Sequence, residues 1–179
     1  LRIKTDKKIK KGEHMTKIFT RMGTALALVL GSTAVTAQGL EQWGSGGGWD
    51  IMIDPSLGNG CLIQAAYQDG SLVRIGFDRN AGAGYITAFN ENWGDIEEGA
   101  TYDIEFDLDG QPYEGEAVGI YLAGTPGADI YFTNPDFLWD IAAKYTLTLY
   151  HEGYEVMAID LGGTMVGLEG ALACQDEIG

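Results

Sequence analysis

The sequence predicts a mainly β domain, an antiparallel β-sandwich or small barrel-like sheet with two short helices. Three observations carry this. Strand-length runs of alternating or β-branched residues recur from Trp49 onward, separated by Asp-Gly, Glu-Gly and Asn-bearing turns. Only two short stretches have helical spacing. The 142 residues that follow position 37 match one domain with a single core.

The chain opens on a segment with a different character. Leu1–His14 is lysine-rich without hydrophobic periodicity, and reads as an untranslated or disordered extension. Residues 15–37 read as a signal peptide: Lys17 and Arg21 are basic, Gly23–Gly31 is apolar, and Val35-Thr36-Ala37 predicts cleavage before Gln38. The apolar run falls short of the ~20 residues a membrane span needs, so no stable span is expected after cleavage. The destination is then periplasmic or secreted. Residues 38–48, rich in Gly and Ser, read as a flexible leader, and 49–179 as a single β-rich domain.

Within that domain, Cys61–Tyr67 and Leu72–Asp78 flank Gln68-Asp69-Gly70. A three-residue loop with Gly70 left-handed pairs Ala65 with Val73, Ile63 with Ile75, and Cys61 with Phe77. A two-residue loop would oppose Ala65 to Arg74 and Cys61 to Asp78, so the first register is predicted. Tyr85–Asn90 is the next strand. Tyr102–Leu108 alternates strictly, with Ile104, Phe106 and Leu108 inward. Asp109-Gly110 turns into a strand near Ala117–Leu122, Ile130–Phe132 is a further one, and Tyr145–Tyr150 with Tyr154–Leu161 forms a hairpin around Glu152-Gly153. Asn134 is placed to cap a helix with Pro135 first and Phe137, Leu138 and Ile141 buried. Thr164 is placed to cap Met165–Cys174, with Met165, Leu168 and Leu172 on one face.

Charge narrows the function. After residue 37 only Arg74, Arg79 and Lys144 remain basic, against 24 of the 26 Asp/Glu, a formal charge of −21 where the whole chain has −15. Nucleic acid and anionic membranes would be repelled, and a cationic protein is the favoured partner class. Adaptation to salt accounts for the same surface equally well. Cys61 and Cys174 are the two cysteines. An oxidising compartment makes a structural disulfide the simplest reading, with two buried thiols or a redox pair as alternatives; there is no CxxC. On chain-entropy grounds such a bridge contributes roughly 4–5 kcal/mol.

No catalytic, cofactor or metal set stands out. Glu105, Asp107, Asp109 and Glu116 overlay the spacing of a calcium loop, but Phe106 and Leu108 fit core-facing strand residues, so a solvated strand face is favoured. His151 sits at a hairpin tip, and Ser45, Ser56 and Ser71 lie in loop-like contexts without a nucleophile motif. Asp95 or Glu97 beside Trp93 would serve carboxylate-pair hydrolysis, though nothing singles them out. Trp49 and Trp139 read as core, Trp43 and Trp93 as the more exposed pair.

Three segments, GGWDIMID, GNGCLIQAAYQDGSLVRIGFD and IDLGGTMVGLEGALACQ, together resemble the invasion-associated locus B family, small secreted or periplasmic proteins of alphaproteobacteria. Trp49 matches an early Trp on the first strand, Cys61 a Cys opening the next, and Gly162–Cys174 a final helix of leucines and small residues. The resemblance implies an all-β domain without known catalytic residues, in a family named for a role in host-cell entry. The expected function is a non-enzymatic exported binding module for a cationic protein or a host or cell-surface component. The alternatives are a carboxylate-dependent glycan hydrolase and an inhibitor of a basic cell-wall hydrolase such as lysozyme.

Overall fold

A computed structural model describes residues 39–94 and 96–179. The extension, the signal peptide and its cleavage junction lie outside the described residues. Among the described residues, ten strands form one antiparallel sheet that does not close into a barrel, accompanied by two α-helices. The strands are β1 (Glu41–Gly46), β2 (Trp49–Asp54), β3 (Gly60–Ala66), β4 (Leu72–Asp78), β5 (Ala83–Phe89), β6 (Thr101–Leu108), β7 (Gln111–Leu122), β8 (Thr125–Phe132), β9 (Thr146–His151) and β10 (Tyr154–Asp160). They lie in the order β1-β2-β3-β4-β5-β8-β7-β6-β9-β10. Helix α1 (Phe137–Ala142) follows β8, and α2 (Thr164–Ile178) ends the chain.

Turn chemistry and face parity set the register. The β3–β4 hairpin pairs Ile63 with Ile75 and Ala65 with Val73, around a loop in which Gly70 is left-handed. The Asp109-Gly110 and Glu152-Gly153 turns both have positive φ at their two central residues, which matches the twist of the hairpins they join. Both edge strands carry a bulge, at Trp43 in β1 and at Val156 in β10, which disfavours pairing with another chain. Inward residues of both halves of the sheet, from Ile63 and Ile75 to Phe106, Leu147 and Ile159, share one core with Leu138, Ile141 and Leu168 of the helices.

Several expectations change. The stretch 38–48 supplies β1 over Glu41–Gly46 rather than a loose leader, because its backbone finds a ladder on β2 and a neighbour in α2. β7 begins directly after the Asp109-Gly110 turn, and β8 runs from Thr125. Asn134 accepts from the Asp136 N–H at 3.1 Å, but α1 starts only at Phe137. Thr164 is not a cap. Gly163, left-handed, occupies that position, and Thr164 begins α2 with its hydroxyl buried and unpartnered. Leu172 is 46% exposed, because the face of α2 turned to the sheet is the stripe Thr164, Gly167, Leu168, Ala171 and Cys174.

That stripe brings the helix close. A Cβ at Gly170 would run into Ile51, and one at Gly167 would press on Ile63 and Trp49. Gly47 and Gly163 meet backbone to backbone, each with positive φ, so a Cβ on either would collide with the other's carbonyl. Trp49 Nε1 donates to the Gly162 carbonyl at 3.3 Å, and the Tyr67 hydroxyl donates to that of Asp160 at 2.8 Å. Burial first, then the charges of Asp160 and Asp69, push the Tyr67 hydroxyl up to about 12, so it keeps its proton near neutrality. Cys61 and Cys174 are joined by a disulfide, Cα to Cα 6.2 Å. Gln175 completes the contact, its Oε1 accepting from the Cys61 N–H at 3.0 Å.

Two substitutions separate packing from polarity here. Gly163→Ala adds a side chain to a left-handed residue and a collision with Gly47, and should cost more than about 2 kcal/mol in urea unfolding. Thr164→Val removes a buried unpaired hydroxyl and should be neutral or stabilising by up to about 1 kcal/mol. An unchanged midpoint for the first, or a clear loss for the second, would contradict this packing.

Candidate functional site

The strand order dictates where a hollow forms. β5 is followed in sequence by β6, but β8 and β7 lie between them, so the segment 90–100 must cross both. Asn90 anchors the start. Its N–H donates to the Pro126 carbonyl at 3.1 Å, its Nδ2 to Ser71 Oγ at 2.8 Å, and its Oδ1 accepts from the Asn92 N–H. Further along, the Tyr121 hydroxyl donates to the Ile96 carbonyl at 2.6 Å, and the Tyr102 hydroxyl accepts from the Glu97 N–H at 2.8 Å. Gly119 lets the crossover settle: it accepts from the Gly99 N–H and donates to the Ala100 carbonyl, both at 2.8 Å. A Cβ there would strike the Glu97 carbonyl and Ile96.

Beneath this crossover is a cavity of about 300 Å³. Trp93 and Ile96 form its roof, and Ile104, Ile130 and Leu149 present apolar side chains from the sheet. Ala117 and Ala128 are the small residues that leave the space. The bulge in β10 brings Val156 to the wall. Polar groups are few: Asn92, Tyr102 and His151. His151 Nδ1 lies 2.9 Å from the Asp103 carbonyl, which can only accept, so the proton sits on Nδ1. Its ring meets Tyr102 edge-on at 5.6 Å. The hollow does not extend down the sheet, because Phe106 and Tyr113, stacked at 5.1 Å, pack with Phe132 and Phe137 below it.

A wider groove of about 880 Å³ is also bordered by Tyr102, Ile104 and His151, but its strand carboxylates alternate with Tyr102, Ile104 and Ala117 and so project from the opposite face of the sheet. It exists because β9 pairs with β6 only from Glu105 to Leu108, leaving Thr101–Ile104 beyond the ladder. Asp103, Glu105, Glu114, Glu116 and Glu152 line it, and no Lys or Arg does among the described residues. The β6–β7 register sets Asp103 opposite Glu116 and Glu105 opposite Glu114. Like charges directly opposed on a sheet are unfavourable, so this wall is self-repelling.

The residues singled out by sequence scatter. Asp107 accepts from Gly110 N–H, and Asp109 from Thr146 N–H at 2.9 Å, so the calcium-like spacing is spent on a turn. Among the described residues no three His, Cys, Asp or Glu converge as metal ligands. Ser56 bonds Asp54, Ser71 belongs to the Asn90 network, and Ser45 lies on β1, whereas His151 ends β9. Trp49 is buried; Trp43 Nε1 donates to Glu177 at 3.2 Å on the β1 edge; Trp139 packs against the core; Trp93 alone reaches the cavity. Asp95 lies outside the described residues, and Glu97 engages through its backbone N–H.

Asp129 is the carboxyl whose environment disfavours charge. Burial raises its pKa, opposed by the Thr87 hydroxyl that donates to it. It alternates with Ala128 and Ile130, so it faces away from the cavity those two line. Sequence reasoning missed Ile96, Gly119, Ala117 and Ala128, for which no local signal exists: alternation tells which face a residue takes, not how much volume is left there.

Asp129 yields a pH prediction. A carboxyl raised on folding contributes stability below its unfolded pKa and loses it as pH rises through the folded value. Asp129→Asn should therefore gain stability relative to the parent near pH 7.5, with the gap narrowing towards pH 4. Urea midpoints at the two pH values check this, and a gap independent of pH would contradict it.

No protein-family model matches the chain, and no curated protein matches it in sequence. Among solved structures the chain is similar to the crystal structure of invasion associated protein B from Bartonella henselae. The TM-score is 0.54, over 78% of this chain and 99% of that one, at 12% identity. The relationship is one of fold.

Proposed function

We propose that this protein is a non-enzymatic, exported binding module whose ligand site is the apolar cavity beneath the β5–β6 crossover. The observation that carries this reading is the wall itself: aliphatic and aromatic side chains with three polar groups and, among the described residues, no carboxylate. Pockets of that make-up bind apolar groups and use the few polar atoms for orientation. Glycan hydrolysis asks for two carboxyls flanking the substrate roughly 5–10 Å apart, and the raised carboxyl, Asp129, is on the other side of β8. Export is supported by the disulfide, which persists in oxidising compartments. No helix among the described residues is long and apolar enough to cross a membrane. The fold neighbour is described as invasion associated, which fits a module acting at the envelope or a host surface.

N-phenyl-1-naphthylamine, a neutral apolar fluorophore, tests the site. It should bind saturably with fluorescence enhancement, and Ala128→Leu, which fills the cavity, should weaken it about tenfold or more. Trp93→Ala, which removes part of the roof, should weaken it as well, while Trp43→Ala should not. Absent saturable binding, or equal binding by the filled variant with its circular dichroism intact, would overturn the proposal.

A further inference from the structure

We infer that the cavity takes a compact, uncharged apolar molecule bearing one hydroxyl, an alcohol or a phenol, whose O–H donates to Nε2 of His151. This rests on the cavity being a binding site, and names the class of ligand and the residue that selects it. Nδ1 of His151 is committed to the Asp103 carbonyl at 2.9 Å, so in the neutral ring Nε2 is left as an acceptor. His151 makes no other side-chain hydrogen bond among the described residues. It also borders the groove on the far face of the sheet, so its ring stands at the rim of the cavity, where the polar end of a ligand would sit.

The other polar groups do not compete for that role. The Tyr102 hydroxyl already accepts from the Glu97 N–H, and Asn92 offers both a donor and an acceptor and so selects neither. A pure hydrocarbon filling the cavity would strip water from Nε2 and return nothing, at a cost comparable to a lost hydrogen bond. A hydroxyl restores that bond. Charge of either sign is disfavoured. Among the described residues the wall holds no Lys or Arg to receive a carboxylate and no Asp or Glu to receive an ammonium. The formal charge of −21 carried after residue 37 further repels an anion. At about 300 Å³ the cavity is at the small end of ligand pockets, which suits a molecule of one or two rings rather than a long acyl chain.

Displacement of bound N-phenyl-1-naphthylamine from the intact protein tests this, with 2-naphthol and its near-isostere 2-methylnaphthalene as competitors at about pH 8, where an ordinary imidazole is neutral. His151→Leu should weaken 2-naphthol about tenfold and leave 2-methylnaphthalene bound as tightly or more so, which also shows that the variant keeps its cavity. In the parent, the anion 2-naphthoate should compete about tenfold or more weakly than 2-naphthol. Unchanged 2-naphthol affinity in the variant, an equal loss of both competitors, or 2-naphthoate competing as strongly as 2-naphthol would overturn the inference. With the fluorophore still bound saturably by the parent, each of those results leaves the apolar site standing; no saturable fluorophore binding would overturn both.

Discussion

The close approach of α2 to the first three strands is the constraint on which the rest of the structure depends. A helix bearing ordinary side chains at positions 163, 167 and 170 would stand off from Gly47, Ile63 and Ile51. It would then fail to bring Cys174 within bonding reach of Cys61. With small residues along the stripe, one line of contacts runs from the Gly47–Gly163 backbone contact through Trp49 to the disulfide and Gln175. It joins the first hairpin to the last helix across a sheet whose edges, β1 and β10, do not pair with each other. A cross-link spanning 113 residues adds roughly 5 kcal/mol on chain-entropy grounds, comparable to the whole net stability of many domains.

Elsewhere the sheet is spanned by two crossovers, which do unequal work. The connection from β8 to β9 contains α1, and Phe137, Leu138 and Ile141 fill the space beneath it with the aromatic cluster around Phe106. The connection from β5 to β6 has only Trp93 and Ile96 to offer, over two alanines, and a cavity remains. Its position is fixed by backbone and hydroxyl hydrogen bonds to Tyr102, Gly119 and Tyr121 rather than by packing. The same end of β6 is where β9 turns away, and there the opposite face of β6 and β7 carries the acidic groove. The cavity therefore follows from topology: one poorly filled crossover above a stretch of sheet lined by small residues.

Much of the framework was legible in the sequence, for local reasons. The β3–β4 register follows from face parity around Gly70, and Asp109-Gly110 and Glu152-Gly153 are turn dipeptides wherever they occur between alternating runs. β1 was hidden because Gly and Ser carry no alternation; its strand state comes from β2 and α2. Thr164 looked like a helix cap, yet the tight meeting with Gly47 requires a glycine at the capping position. The acidic residues were visible, but not that Asp103, Glu105, Glu114 and Glu116 would share one wall on the face of the sheet opposite the apolar hollow. That depends on the β6–β7 register. The cavity was invisible for a similar reason, since its volume is the difference between long-range packing and the side chains available to fill it.

Residue-resolved native-state amide hydrogen exchange tests the account most directly, because it reports separately on the locked and the poorly filled parts of the domain. Amides of α2, β3 and β4 should exchange only through global unfolding. Those of the 90–100 crossover and the β9–β10 turn should exchange through local openings of lower free energy. Exchange of α2 as fast as the crossover, or uniform protection across both, would contradict the claim that the helix contact holds the fold while the cavity end is left free to bind.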